Sequence, residues 1–262
     1  MNNLNKTNKK YWDNYWEERI ETNPLIPIIE EGLILKELER LIKIYSKRTN
    51  LSVIEIGGAP GRICEWVSRL DNVKSINIID YSSEGIRQSE SFLKNNCSSN
   101  YSIYKLDLFK SKLKLLPSFD LVYSLGFVEH FYDLNLSIEK HLDLTKKGGL
   151  TIIGLPVFLG FNKWISKIFS PENLKTHFLF IMEMKNWEFL KSNRNIRVIL
   201  KNYIGGFNPD VHWRLERNSF IVKLMYIIFH NWVKPIINSF QILKRKNSKY
   251  LSYYMFVVIK KL

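Results

Sequence analysis

The chain has 262 residues, 45% hydrophobic and 14% aromatic, enough to bury one substantial core, which excludes a disordered or fibrous protein. With 39 Lys and Arg against 25 Asp and Glu it carries a net charge of +14, which raises nucleic acid or an anionic membrane as partners. The basic residues are mostly scattered lysines without an arginine-rich stretch or an RNA-binding module, so a solvated basic surface is the reading; DNA is not expected and RNA stays open as an alternative.

In chain order, the first sixteen residues, MNNLNKTNKKYWDNYW, are polar and then aromatic. They lack the basic start, apolar core and small-residue cleavage site of an export signal, so a cytoplasmic location is expected. Tyr11, Trp12, Tyr15 and Trp16 recur at i, i+1, i+4 and i+5, one broad stripe of a helix, and a second helical pattern runs over about 32–46. From 52 to about 156, short β-branched runs alternate with helical patterns, which predicts βαβ units and a parallel sheet. The strands fall at 52–56, 75–79, 101–105, 120–124 and 150–155. Helices follow the first strand to Arg69, cover 84–95 with Ser82 or Ser83 as cap, and cover 134–144 with Gly148-Gly149 as the stop. Further on, a helix capped by Ser170 is predicted over 171–192 and a sixth strand over 196–203. The apolar stretch 219–243 is interrupted by Lys223, His230, Asn231, Lys234 and Pro235, which leaves it too short to span a bilayer; it reads as a helical pair packed on the domain, with an interfacial membrane contact as the alternative. A final strand over 253–260 inserts at the far end of the sheet. The chain divides into a helical lid (1–50), a ligand-binding core (51–205), and a helical insertion with the terminal strand (206–262). Cys64 and Cys97 lack metal-type spacing and read as ordinary thiols; neither a disulfide nor a metal site is expected.

The informative stretch is Val53-Ile54-Glu55-Ile56-Gly57-Gly58-Ala59-Pro60-Gly61-Arg62, a strand running into a glycine-rich turn and then a helix. Such a turn lets backbone amides approach a ligand closely. The dinucleotide spacing G-x-G-x-x-G fails in both frames: from Gly57 it requires glycine at Ala59 and Arg62, and from Gly58 at Pro60 and Ile63. No Gly-Lys-Ser/Thr follows, so a Walker-type phosphate loop fails as well. The stretch resembles motif I of class I S-adenosylmethionine-dependent methyltransferases, with Glu55, Gly57 and Gly61 in the pattern and Ala59 at the usual middle glycine. Asp80 at the end of the second strand, Asp107 after the third, Glu129-His130 after the fourth and Lys146-Lys147-Gly148-Gly149 before the fifth follow in the order of that family. The resemblance covers roughly residues 50–160.

The resemblance implies an α/β fold, a doubly wound, mostly parallel seven-stranded sheet whose last strand is antiparallel. It implies S-adenosylmethionine as methyl donor and S-adenosylhomocysteine as product. Glu55, Gly57, Gly58, Ala59 and Gly61 would wrap the amino-acid part of the cofactor, Asp80 would accept from the ribose hydroxyls, and Asp107 from the adenine amino group. Tyr81, Leu108, Ser124 and Glu129 are further cofactor-binding candidates, and the leading helix is a lid in such enzymes. Methyl transfer from a sulfonium is an in-line displacement, so the protein orients, excludes water and, for a hydroxyl acceptor, removes a proton. His130 is the candidate base. The acceptor is expected to be a small molecule or a sugar or polysaccharide precursor, methylated on oxygen first and nitrogen second, with Tyr11, Tyr15, His212 and Arg214 as substrate-binding candidates. An RNA methyltransferase and a non-catalytic protein that binds the same cofactor remain alternatives, and a nicotinamide-dependent reductase is disfavoured by the glycine spacing.

Overall fold

The computed structural model describes residues 5–18, 29–46, 48–207, 219–239 and 247–262. Strands β1 (Leu51–Ile56), β2 (Val73–Asp80), β3 (Asn100–Lys105), β4 (Phe119–Leu125), β5 (Thr145–Pro156), β6 (Ile196–Phe207) and β7 (Ser252–Lys261) form one sheet in the order β3-β2-β1-β4-β5-β7-β6. The first five strands in that order pair in parallel, and β7 runs antiparallel to both of its neighbours. The helices are α1 (Lys9–Glu17), α2 (Ile29–Tyr45), α3 (Arg62–Ser68), α4 (Ser83–Asn96), α5 (Leu134–Leu144), α6 (Gly160–Phe169), α7 (Pro171–Lys175), α8 (Phe220–Ile228) and α9 (Lys234–Ser239), the last two joined by a π turn (Phe229–Val233).

Burial on both faces explains the near-continuous apolar runs of the central strands. In β7 every residue from Tyr253 to Ile259 is buried. Such a strand is unsuited to an edge, where a row of backbone groups and one flank face water. It enters between β5 and β6, one place in from the end, and leaves β6 as the outer strand. On one face, Leu38, Leu41 and Ile42 of α2, with Val67 of α3, pack against Val53, Leu121, Tyr123 and Ile152. On the other, Ile138 and Leu142 of α5 join Met182 and Trp187 against Ile153, Met255 and Val257. Thus α2 belongs to the core layer, whereas α1 stands at the carboxyl ends of the strands.

Most predicted boundaries agree to within a few residues, and Ser82 caps α4 by accepting from the Gly85 amide at 3.0 Å. Two local predictions fail. Gly148-Gly149 does not stop α5, which ends at Leu144 and passes directly into β5. The two glycines instead lie where the β4–β5 register slips: Gly148 has φ 74, and a Cβ on Gly149 would lie 2.9 Å from the Lys146 carbonyl oxygen and 3.0 Å from that of Asp120. They serve a bulge.

The predicted helix over 171–192 breaks after Lys175, and Ser170 makes no side-chain cap bond. The chain continues in 3-10 turns at Leu179–Met182 and Met184–Ser192. Ile181, Met182, Trp187 and Leu190 are all buried, so packing over β5, β7 and β6 overrides helical propensity here. Helix α6 was not anticipated.

The predicted packed helical pair is met only in part: Val222, Tyr226 and Phe229 rest on Ile165 and Phe169, whereas Phe220, Ile221, Trp232 and Ile236 are exposed. Among the described residues no helix is long and apolar enough to cross a membrane.

Candidate active site

The carboxyl ends of β1 to β4 open onto a cavity of about 670 Å³, at the point where the strand order reverses and open α/β sheets bind ligands. Gly57, Asp80, Tyr81, Asp107, Leu108 and His130 all line it. Gly57 has φ 69 and a Cβ there would lie 2.6 Å from the Phe127 ring, so only glycine fits this turn. Glu55 lies beneath: it is buried, Tyr123 donates to its Oε2 at 3.0 Å, and a Cβ on Gly58 would meet its side chain at 2.9 Å. Glu55 therefore shapes the loop from below and does not line the cavity. Gly61, with φ 92, opens α3. The Ala59 amide points at Asp80 Oδ2 at 3.4 Å, and the Ser82 amide donates to Oδ1 at 2.9 Å. Burial pushes the Asp80 carboxyl up to about 6, against the pull of these backbone donors. Asp107 accepts from the Phe109 amide at 3.0 Å and pairs with Lys110 at 3.2 Å, which turns the chain at the end of β3 and presents its side chain to the cavity.

Helix α1 covers the opening. Asp13 Oδ1 accepts from the Ser83 amide and the Ser82 hydroxyl, each at 2.7 Å, so an anion from α1 sits on the N-terminus of α4. Gln88 donates to the Trp16 carbonyl at 2.7 Å, and the Lys6 amide donates to the His130 carbonyl at 3.0 Å. The cavity wall takes Trp12 and Trp16 of the aromatic stripe; Tyr11 and Tyr15 are absent from it and stack on each other at 6.2 Å. Ser124 is also absent from the lining, because its hydroxyl bonds His141 Nε2 at 2.9 Å inside the core. The candidates His212 and Arg214 lie outside the described residues.

Also lining the cavity, His130 packs edge-on against Trp12 with ring centres 5.1 Å apart. Its Nδ1 lies 2.8 Å from the Thr176 carbonyl, an arrangement that places the ring proton there and leaves the lone pair on Nε2. Burial, with the nearby His177, holds its pKa down at about 3, opposed by the carbonyls of Thr176 and Gly126. His130 is thus a neutral imidazole at pH 7, weakly basic by itself. His177 was missed by sequence reasoning: nothing local marks a residue brought 47 positions along the chain to lie 4.7 Å from His130, ring to ring. Asp13, Trp12 and Trp16 had a helical signal, but the face that meets the cavity is set by the docking of α1 on α4.

Comparison with known proteins agrees with this geometry. Residues 54–153 match the family model described as a methyltransferase domain. The ubiquinone biosynthesis O-methyltransferase of Pelagibacter ubique (strain HTCC1062) is 25% identical over 169 residues, 58% of this chain, and the match spans 65% of that relative's length. Magnesium protoporphyrin IX methyltransferase from Synechocystis PCC 6803, solved with bound S-adenosylhomocysteine, superposes with a TM-score of 0.61 at 9% identity, covering 97% of this chain and 98% of that one. The [4+2]-cyclase SpnF superposes with a TM-score of 0.55 at 12% identity over 87% of this chain and 81% of its own. Residues 54–153 thus carry a methyltransferase domain, on the fold of the S-adenosylhomocysteine-bound methyltransferase above.

Proposed function

We propose that this protein transfers the methyl group of S-adenosylmethionine to a hydroxyl oxygen of a small molecule. The supporting observation is that one covered cavity is lined by Gly57, Asp80, Asp107 and His130 together. Asp80 accepts from the ribose hydroxyls, Asp107 from the adenine amino group, and the amides after Glu55 hold the amino-acid part. The acceptor enters beside His130, where Trp12, Phe127 and Phe131 line the wall; flat aromatic surfaces favour a planar, apolar acceptor over a polysaccharide precursor. Oxygen as the acceptor atom is supported by the name of the curated relative, an O-methyltransferase. Closure by α1 keeps water from the sulfonium, and the in-line geometry is set by the two ends of the cavity.

Titration calorimetry with S-adenosylmethionine, followed by turnover assays on phenolic and sugar hydroxyl panels, tests this reading. Cofactor binding with methylation of phenols supports it, and cofactor binding without methylation of any acceptor favours a non-catalytic or different chemistry on the same fold, as SpnF is named a cyclase. Retention on RNA with steep salt dependence would favour the RNA alternative.

A second surface reading rests on α8 to α9, where Phe220, Ile221, Trp232 and Ile236 are exposed beside exposed Trp164 of α6. In a chain of net charge +14 this supports peripheral docking on an anionic bilayer. Flotation with anionic vesicles but not zwitterionic ones supports it, and no flotation with either overturns it.

A further inference from the structure

Behind the acceptor end of the cavity, one carboxyl group and two imidazoles converge. The carboxylate of Glu129 is fully buried, and neither of its oxygens has a hydrogen-bond partner among the described residues. His130 Nε2 lies 3.9 Å and His177 Nε2 lies 4.0 Å from Glu129 Oε1, both beyond hydrogen-bond reach. Each imidazole spends its ring proton elsewhere: Nδ1 of His130 faces the Thr176 carbonyl at 2.8 Å, and Nδ1 of His177 faces the Asn173 carbonyl at 2.7 Å. The Gly126 carbonyl beside the His130 ring is one more acceptor. Buried carboxyl oxygens left without a hydrogen-bond partner are costly.

From this we infer that Glu129, His130 and His177 bind one divalent transition-metal ion of the zinc class. Candidate ligand atoms of the three side chains all lie within 4.8 Å of one another. Ligands around a tetrahedral zinc ion lie about 3.3 Å apart, so binding draws the three side chains inward by roughly 0.5–1.5 Å. Two imidazoles and one carboxylate are a common donor set for zinc, and imidazole Nδ1 protons held by backbone carbonyls are the usual means of aiming Nε2 at a metal. The backbone fixes the set as well, because the Phe178 amide donates to the Glu129 carbonyl at 2.7 Å and ties the two segments together.

The sequence reading expected no metal, and the proposed site departs from it. It also deepens the proposed oxygen methylation, on which its chemical role rests: His130 borders the cavity, and an ion there stabilises the deprotonated form of an acceptor hydroxyl that completes its coordination.

The test uses the full chain, stripped with chelator and then loaded with zinc or with cobalt as a spectroscopic probe. Wild type should retain about one equivalent of zinc through gel filtration, show visible d–d absorption with cobalt, and melt at a higher temperature with zinc than with chelator. Glu129→Gln and His177→Asn should each weaken metal affinity at least tenfold, with His177→Asn still binding S-adenosylmethionine by calorimetry. A folded wild type that binds S-adenosylmethionine yet retains no metal overturns the site, as do folded variants that hold zinc as tightly as wild type. Should a variant not fold, the wild-type stoichiometry and cobalt spectrum decide. Wild type that binds zinc but not S-adenosylmethionine would instead sink the proposed function.

Discussion

The two ends of the cavity are built differently. The donor end is assembled from consecutive strand ends, Gly57 after β1, Asp80 closing β2 and Asp107 after β3, and Asp80 and Asp107 each accept from the amide two residues on. The acceptor end is assembled from α1, the turn after β4 and the segment after α7, which meet only through tertiary packing. A site whose geometry is a property of strand ends can be read in order along the chain; one that depends on how separate segments dock cannot.

Trp187→Ala should separate the two ends most sharply. Trp187 is buried, donates to the Ile181 carbonyl at 2.7 Å, and anchors the segment that follows His177. Its removal should cost about 3–5 kcal/mol in urea unfolding, while the folded fraction keeps its affinity for S-adenosylmethionine. An equal loss at both ends would show that they are not independent.

Asp80→Ala should do the reverse. Loss of hydrogen bonds to a charged acceptor, about 1.5–3 kcal/mol, predicts a tenfold or greater fall in cofactor affinity by calorimetry, with metal retention unchanged.

The same carboxylate sets a pH dependence. Because burial holds Asp80 up at about 6, and the ionised form accepts from the ribose, cofactor affinity should fall about tenfold per pH unit as pH drops below 6. Stability of the free chain moves in the opposite sense. The folded state binds this proton more tightly than the unfolded state, whose carboxyl titrates near the ordinary value of 3.8, so the contribution of Asp80 to stability is present at low pH and is lost as pH rises through this window toward 6. Urea midpoints of wild type and Asp80→Asn across that range check the sign.

The smallest effect is expected at the lid. Asp13→Ala removes an anion from the N-terminus of α4 and should cost about 0.5–2 kcal/mol, read as faster hydrogen exchange in α1 and α4 and a modest rise in cofactor dissociation rate.

The same division accounts for what the sequence disclosed. Short β-branched runs alternating with helical patterns located all seven strands, the last of them as a terminal strand at the far end of the sheet. Gly57, Asp80, Asp107 and His130 were legible because each falls at the end of a strand or in the turn that follows. The turns over 179–192 were not legible, because Ile181, Met182, Trp187 and Leu190 take their conformation from the sheet beneath them and carry no period of their own. The pairing of Tyr11 with Tyr15, away from the cavity, was equally hidden, since a stripe of four aromatics does not say which of its edges will face a ligand. Gly148-Gly149 misled because glycine marks a helix end and a bulge alike.

The most direct measurement is a crystal structure of the chain with S-adenosylhomocysteine. The account predicts one molecule beneath α1, its ribose hydroxyls on Asp80, its adenine beside Asp107 and Leu108, and its sulfur directed toward the His130 end. An empty cavity at saturating ligand, or a ligand bound away from Gly57 and Asp80, would contradict it.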